Sequence, residues 1–199
     1  MDDKRYAVLI DSDNISSKYI SDILDEMTKY GVITYKRIYG DWTSTQANKW
    51  KKELMENSIT PIQQFRNTVG KNATDSTLII DAMDILYTNN VDGFCIVSSD
   101  GDFTRLASRL RESGMDVIGM GENKTPRSFR AACSVFTDLE LLREQAHEDE
   151  PDSKPAKKKA SSNIIKQSKI ENAIIEIIQE NENKGRQTGL GEIGSRLQK

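Results

Sequence analysis

Histidine is almost missing from this chain: His147 is the only one in 199 residues. It falls in a stretch read as a polar tail, so Ser-His-Asp and Cys-His triads and histidine-based zinc sites are excluded from the folded part. Cysteine is nearly as scarce, and Cys95 and Cys133 have no metal-type spacing. Both are expected to be buried thiols of a reducing compartment. No apolar run approaches the roughly 20 residues of a membrane span. Met1-Asp2-Asp3-Lys4-Arg5 lacks the apolar core of a secretory signal, so a cytoplasmic protein with no membrane partner is expected. Hydrolytic chemistry is left to carboxylates, to metal-activated water, or to both.

A basic excess is absent as well. The net charge is −3, and residues 1–145 carry 18 Lys+Arg against 22 Asp+Glu. Setting aside five acids of the candidate cluster described below leaves that region at +1. A cation-loaded cleft therefore need not repel an anionic substrate.

What is present centres on Phe94-Cys95-Ile96-Val97-Ser98-Ser99-Asp100-Gly101-Asp102-Phe103. An apolar run of strand length ends in small hydroxyls and two carboxylates. Phe103, Leu106, Ala107 and Leu110 then show the spacing of one buried helix face. The same alternation runs along the chain. Strands are expected over 6–10, 32–39, 59–65, 94–97 and 116–120, with Pro61 tolerated near the start of the third and a short strand or turn at Val135-Phe136. Helices are expected over 15–30, 43–57 (capped by Thr43-Ser44-Thr45), from Thr74 to about Asn89, over 103–111, and from Thr125-Pro126, with Thr as cap and Pro in the first position. Alternating strands and helices predict an α/β/α three-layer sandwich with a mainly parallel sheet, Rossmann-like in layout.

Aspartates recur at the carboxyl ends of the strands: Asp11 and Asp13 after the first, Asp41 after the second, Asp75 opening the helix after the third, Asp100 and Asp102 after the fourth. In a doubly wound sheet these edges face one crevice. Any one of them reads equally as a helix cap. Several strand ends so equipped point instead to a shared divalent cation, Mg²⁺ or Mn²⁺, which takes oxygen ligands and activates water. Asp81 lies six residues beyond Asp75, about 9 Å along a helix, and is either a supporting contact or a solvated acid.

Ile10-Asp11-Ser12-Asp13-Asn14-Ile15, Tyr39-Gly40-Asp41-Trp42, Lys71 with Asp75 and Leu78-Ile79-Ile80-Asp81-Ala82, and Val97-Ser98-Ser99-Asp100-Gly101-Asp102-Phe103 together resemble the NYN domain, in its LabA-like branch, over about residues 5–140. That family has a PIN-like nuclease fold. The resemblance implies a metal-dependent ribonuclease site in which Asp11, Asp75, Asp100 and Asp102 bind metal and Asn14 is a polar ligand or orienter. Asp13, Asp41, Asp81 and Ser99 are placed as supporting residues, Ser99 standing where the family often has glycine. Trp42 is a candidate for base stacking. Lys71, Lys124, Arg127 and Arg130 are candidates for holding phosphates, helped by free amides after Thr125. RNA is the implied partner.

Residues 146–163 read as a charged flexible linker. Residues 164–199 are expected to form a short helical segment, with Ile165, Ile170, Ile174, Ile177 and Ile178 on an amphipathic pattern. With Leu190-Gly191-Glu192-Ile193-Gly194, this segment is similar to the opening of a LOTUS (OST-HTH) domain, which implies RNA or protein partners. Two rival readings accompany the nuclease. Asp11-x-Asp13 also mimics the nucleophile and acid of a haloacid dehalogenase-type phosphatase, although Asn14-Ile15-Ser16 follows where that family has Thr or Val. The same fold could also serve as a non-catalytic RNA-binding or adaptor module.

Overall fold

The computed structural model describes residues 3–65 and 73–148. The linker beyond Glu148, the LOTUS-like segment and Lys71 lie outside the described residues. Six strands alternate with six helices: β1 Arg5–Asp11, α1 Ile20–Met27, β2 Val32–Gly40, α2 Lys51–Glu56, β3 Thr60–Gln63, α3 Ala73–Thr88, β4 Gly93–Val97, α4 Thr104–Glu112, β5 Asp116–Gly121, α5 Arg127–Ala132, β6 Val135–Asp138 and α6 Leu139–Glu148. The strands form one sheet in the order β3-β2-β1-β4-β5-β6, with every pair parallel.

The two central strands are buried on both faces, which is why they read as unbroken apolar runs. Ala7 and Leu9 of β1 and Phe94 and Ile96 of β4 pack with Leu78, Ala82 and Ile85 of α3, Leu106 and Leu110 of α4, and Phe129 of α5. Tyr6, Val8 and Ile10, with Cys95 and Val97, pack on the other side against Ile20, Ile23 and Met27 of α1, Trp50 before α2, and Leu139 of α6. Alternate residues of one strand thus feed two different cores. Pro61 sits in β3, an edge strand, where a lost donor leaves no gap in the interior of the ladder. Cys95 and Cys133 are buried free thiols, as expected.

Several element boundaries differ from expectation. The helix expected over 15–30 is confined to α1, preceded by a 3₁₀ turn at Ser17–Tyr19. Residues 11–14 are held in a turn by bonds to Asp11, so regular helix begins later. The helix expected over 43–57 divides into a 3₁₀ turn, Thr45–Lys49, and α2. Thr43-Ser44-Thr45 does not cap it: Ser44 makes no side-chain cap bond, and the Thr43 hydroxyl donates to Asp41 at 2.6 Å. Nor does Thr125 cap α5, since Pro126 occupies the cap position and the Thr125 hydroxyl donates to the Glu122 carbonyl. Val135–Asp138 is a full parallel strand beside β5. His147 belongs to α6, not to a tail; that helix was not anticipated, because only Leu139 and Leu142 of it reach the core.

Chain order runs outward from β1 to β3, then restarts with β4 on the opposite side of β1. The reversal lies between β1 and β4, where the connections leave in opposite directions and open a crevice at the carboxyl edge. Ile10 lies beside Val97 in the register. Asp11 and Ser98 therefore leave the sheet side by side.

A candidate metal centre at the sheet's carboxyl edge

Asp11, the last residue of β1, is fully buried. Its Oδ2 accepts from Asn14 Nδ2 and from the Ser98 hydroxyl, both at 2.7 Å, and its Oδ1 accepts from the Asp13 amide at 3.0 Å. Burial pushes its pKa up, and the bonds from Asn14, Ser98 and Asp13 pull it partly back. Ser98 also accepts from the Asp100 amide at 3.0 Å, so a single buried hydroxyl ties the end of β1 to the turn after β4. Asp100 in turn accepts from the Asp102 amide at 2.9 Å and caps the 3₁₀ turn Gly101–Phe103. That cap directs two acids one residue apart toward the same edge.

Asp75 arrives from elsewhere in sequence, on the first turn of α3, where an acid also suits the helix dipole. Its neighbour Thr74 donates to Asp13 at 3.1 Å and fixes that turn against the β1 loop. Asp75, Asp100 and Asp102 each present a carboxylate oxygen within 4.8 Å of the others. Asp75 is buried, and its pKa is pushed up to about 6 by desolvation and by the charges of Asp11, Asp100, Asp102 and Asp13. Asp11 is not in the three-residue group, yet its charge is the strongest of those acting on Asp75.

The other expected residues divide sharply. Ser99 accepts from the Glu122 amide at 2.9 Å and pins the loop after β5. Asp41 closes its own turn, accepting at Oδ1 from Thr43 and from Gln63. Asp81 is engaged with Arg37 and the Tyr39 hydroxyl on β2; burial, and then the bond to Asp81, raise the tyrosine's pKa. Trp42 donates its indole N–H to the Ile62 carbonyl at 2.9 Å. Lys124 pairs with Glu122 at 2.9 Å. Arg130 donates to the carbonyls of Glu122, Asn123 and Thr125 and to Asp138, and lies over the Phe136 ring. Its geometry is that of a loop clamp. Arg127 is exposed on α5, and Pro126 beside it lies against Gly101 in the turn of the acidic group.

Ser98 is the residue that sequence reasoning passed over in favour of Ser99. The period-2 alternation of β4 could have identified it: Val97 belongs to the α1 side and Ser98 faces its register neighbour across the switch point.

An open parallel α/β sheet with carboxylates gathered at its switch point is an arrangement that could hold a divalent cation. The β1 turn, Asp11-Ser12-Asp13-Asn14, carries acids where a dinucleotide-binding fold places glycines against a pyrophosphate. The chain belongs to the NYN domain family, whose family model matches residues 5–140; that family is part of the PIN-like nuclease superfamily, whose members use divalent metals. An uncharacterized protein of Methanocaldococcus jannaschii, MJ0482, is 25% identical over 121 residues, covering 59% of this chain and 47% of its own length. The chain thus spans about half of that relative. A solved structure of a protein of unknown function from Vibrio parahaemolyticus, VPA0982, shares the fold, with a TM-score of 0.58 and 17% identity over 68% of this chain and 93% of the other. Among the described residues no helix is long and apolar enough to cross a membrane.

Proposed function

We propose that this chain is a metal-dependent endoribonuclease of the LabA-like branch that hydrolyses RNA phosphodiester bonds in the cytoplasm. The observation that carries the reading is the convergence of Asp75, Asp100 and Asp102 within 4.8 Å at the switch point. The donor set fits Mg²⁺ or Mn²⁺: it is all carboxylate oxygen, the preference of hard divalent ions. Burial first, and then the charges of Asp11, Asp100, Asp102 and Asp13, hold the Asp75 pKa up, and a cation would offset those charges. When bound, such an ion lowers the pKa of a water molecule and offsets charge building on the phosphoryl group.

The protein's own residues prepare that chemistry. Asp11 holds Asn14 and Ser98 in place and adds its charge to the centre. Ser98 and the Asp100 cap fix the two acids after β4. Arg127, exposed beside the Gly101 turn, supplies a cation for a phosphate of the RNA chain. The segment 164–199 is assigned to partner contacts and the linker, expected over 146–163 and beginning after α6 at 149, to a tether.

Asp11 does not suit a phosphatase nucleophile. It is fully buried, out of reach of a phosphomonoester, and its oxygens are engaged by Asn14, Ser98 and the Asp13 amide. The test is cleavage of end-labelled RNA by the full chain with Mg²⁺ or Mn²⁺. Asp100→Asn is expected to lower the rate at least about 100-fold, or ~2.7 kcal/mol of barrier, while the fold is retained. Undiminished cleavage by that variant would falsify the assignment. RNA binding that ignores chelator, without cleavage under any metal, would favour the adaptor reading.

A further inference from the structure

Charge is unevenly shared among the described helices. α1, α3 and α6 carry more acids than bases, and α2 carries two of each. α4 and α5 differ: together they hold five arginines against Glu112 alone. A chain of net charge −3 has thus gathered guanidinium groups on one pair of neighbouring helices. Arg130 is turned inward as the loop clamp, which leaves Arg105, Arg109, Arg111 and Arg127, all exposed. Among the described residues the ion pairs around α5 are Lys124–Glu122 and Arg130–Asp138, and none involves these four. Arg109 and Arg111 bond neutral groups, the Ser113 hydroxyl at 2.8 Å and the Ala132 carbonyl at 3.4 Å. A guanidinium has five N–H donors, so most of theirs remain for a ligand.

The basic face starts at the metal centre. α4 follows directly on the Gly101–Phe103 turn that Asp100 caps. Arg105 lies in its first turn, and Arg109 follows about 6 Å further along the axis on the same side. α5 runs alongside: the Thr104 hydroxyl donates to Ser128 at 3.5 Å near one end, and Arg111 reaches Ala132 near the other. Arg127, the first residue of α5, follows Pro126, whose ring lies against Gly101. The one aromatic side chain of the two helices, Phe129, is fully buried. This face therefore offers donors and charge, with no ring on which a base could stack.

Resting on the nuclease reading, we infer that the α4–α5 face is a track for the RNA backbone, on which Arg105, Arg109 and Arg111 hold phosphates of nucleotides beyond the scissile one. Arginine forks match phosphate oxygens in pairs. Contacts of this kind position a strand without reading its bases. The track thus makes the protein favour a long strand over a short one and adds no base preference. An acidic protein is the other polyanion such a face could meet, and it would leave the RNA measurements below unmoved.

The experiment uses the full-length chain with Arg105→Ala and Arg109→Ala combined. Lys49→Ala with Lys51→Ala, which removes the same charge from exposed positions near α2, is the control. Binding of a single-stranded RNA of about 16 nucleotides, the upper end of single-strand site sizes, is titrated with salt in the Asp100→Asn background with Mg²⁺ present. The arginine pair is expected to flatten the slope of log K against log salt by about 1.4, two contacts at about 0.7 each, and the lysine pair to leave it unchanged. In the protein with Asp100 intact, the arginine pair is expected to raise KM for the long RNA at least about tenfold with kcat unchanged, the sign of lost uniform binding. Hydrolysis of a dinucleotide, too short to reach the track, should stay as it was. A slope no flatter than the control's, or an equal loss on the dinucleotide, overturns the inference. Long RNA cleaved with slope and KM both indifferent to the arginine pair leaves the nuclease standing and removes the track. A flattened slope with no cleavage by the unaltered protein leaves the track and removes the nuclease.

Discussion

Asp75 carries a conflict that a single substitution exposes. In an unfolded chain it titrates near 4, whereas in the fold its pKa is about 6. Below about pH 4 it is protonated in both states and contributes nothing. As pH rises through the window between the two values the unfolded state releases its proton first, so folding loses stability; above about 6 the full penalty is in place. Asp75→Asn is therefore expected to raise the melting temperature of the metal-free protein at pH 7 to 8 and to have little effect near pH 4. Thermal melts across that range check it, and a gain of equal size at both ends would contradict the desolvation account. Ser98 makes the opposite prediction. Ser98→Ala leaves the Asp100 amide without its acceptor and removes a donor from Asp11. A loss of about 1–3 kcal/mol in urea unfolding is expected, together with a 10–100-fold loss of activity typical of residues that orient ligands.

Among the elements, α5 separates two arginines that look alike in the sequence. Arg130 reaches back over the loop after β5 and bonds three of its carbonyls as well as Asp138. Arg127 stands exposed on the same helix. Arg130→Ala is expected to destabilise the domain by about 1–3 kcal/mol, through the untied loop and the lost contact with Phe136. Arg127→Ala should stay within about 0.5 kcal/mol of wild type yet weaken RNA binding and reduce its salt slope by about 1. Paired chemical unfolding and salt-titrated binding distinguish the two roles; a stability loss shared equally by both would remove the distinction. The helices on the α1 side make a related point. Ile20, Ile23 and Met27 mark α1 clearly, but the start of that helix is decided by the Asp11 hydrogen bonds, which act across the β1 turn and leave no periodic trace.

For the whole molecule, a cation that binds the folded chain and not the unfolded one must stabilise it by mass action, by ~2.7 kcal/mol at a hundredfold excess over Kd. Mg²⁺ or Mn²⁺ is expected to raise the melting temperature at pH 7.5, and the shift should vanish when Asp75, Asp100 and Asp102 are all changed to Asn. A shift that survives the triple change would place the ion elsewhere.

The order of apolar strands and helices was legible because the central strands had to be buried by helices on both sides, and that requirement writes unbroken apolar runs such as Tyr6–Ile10 and Phe94–Val97 directly into the chain. Acids at strand ends were legible for the same reason, since the ends of buried strands are where a parallel sheet meets its ligands. Which acids meet was not legible. In the sequence an aspartate looks the same whether it caps its own loop, as Asp41 does, pairs across a layer, as Asp81 does with Arg37, or joins two others from distant positions, as Asp75 does. Those outcomes depend on register between β1 and β4 and on where α3 enters, contacts set by packing between segments far apart in sequence. Local pattern thus determined the layers and the edge. Tertiary placement alone decided which charges are crowded together and which are already neutralised, because electrostatic energy depends on distance in space and not along the chain.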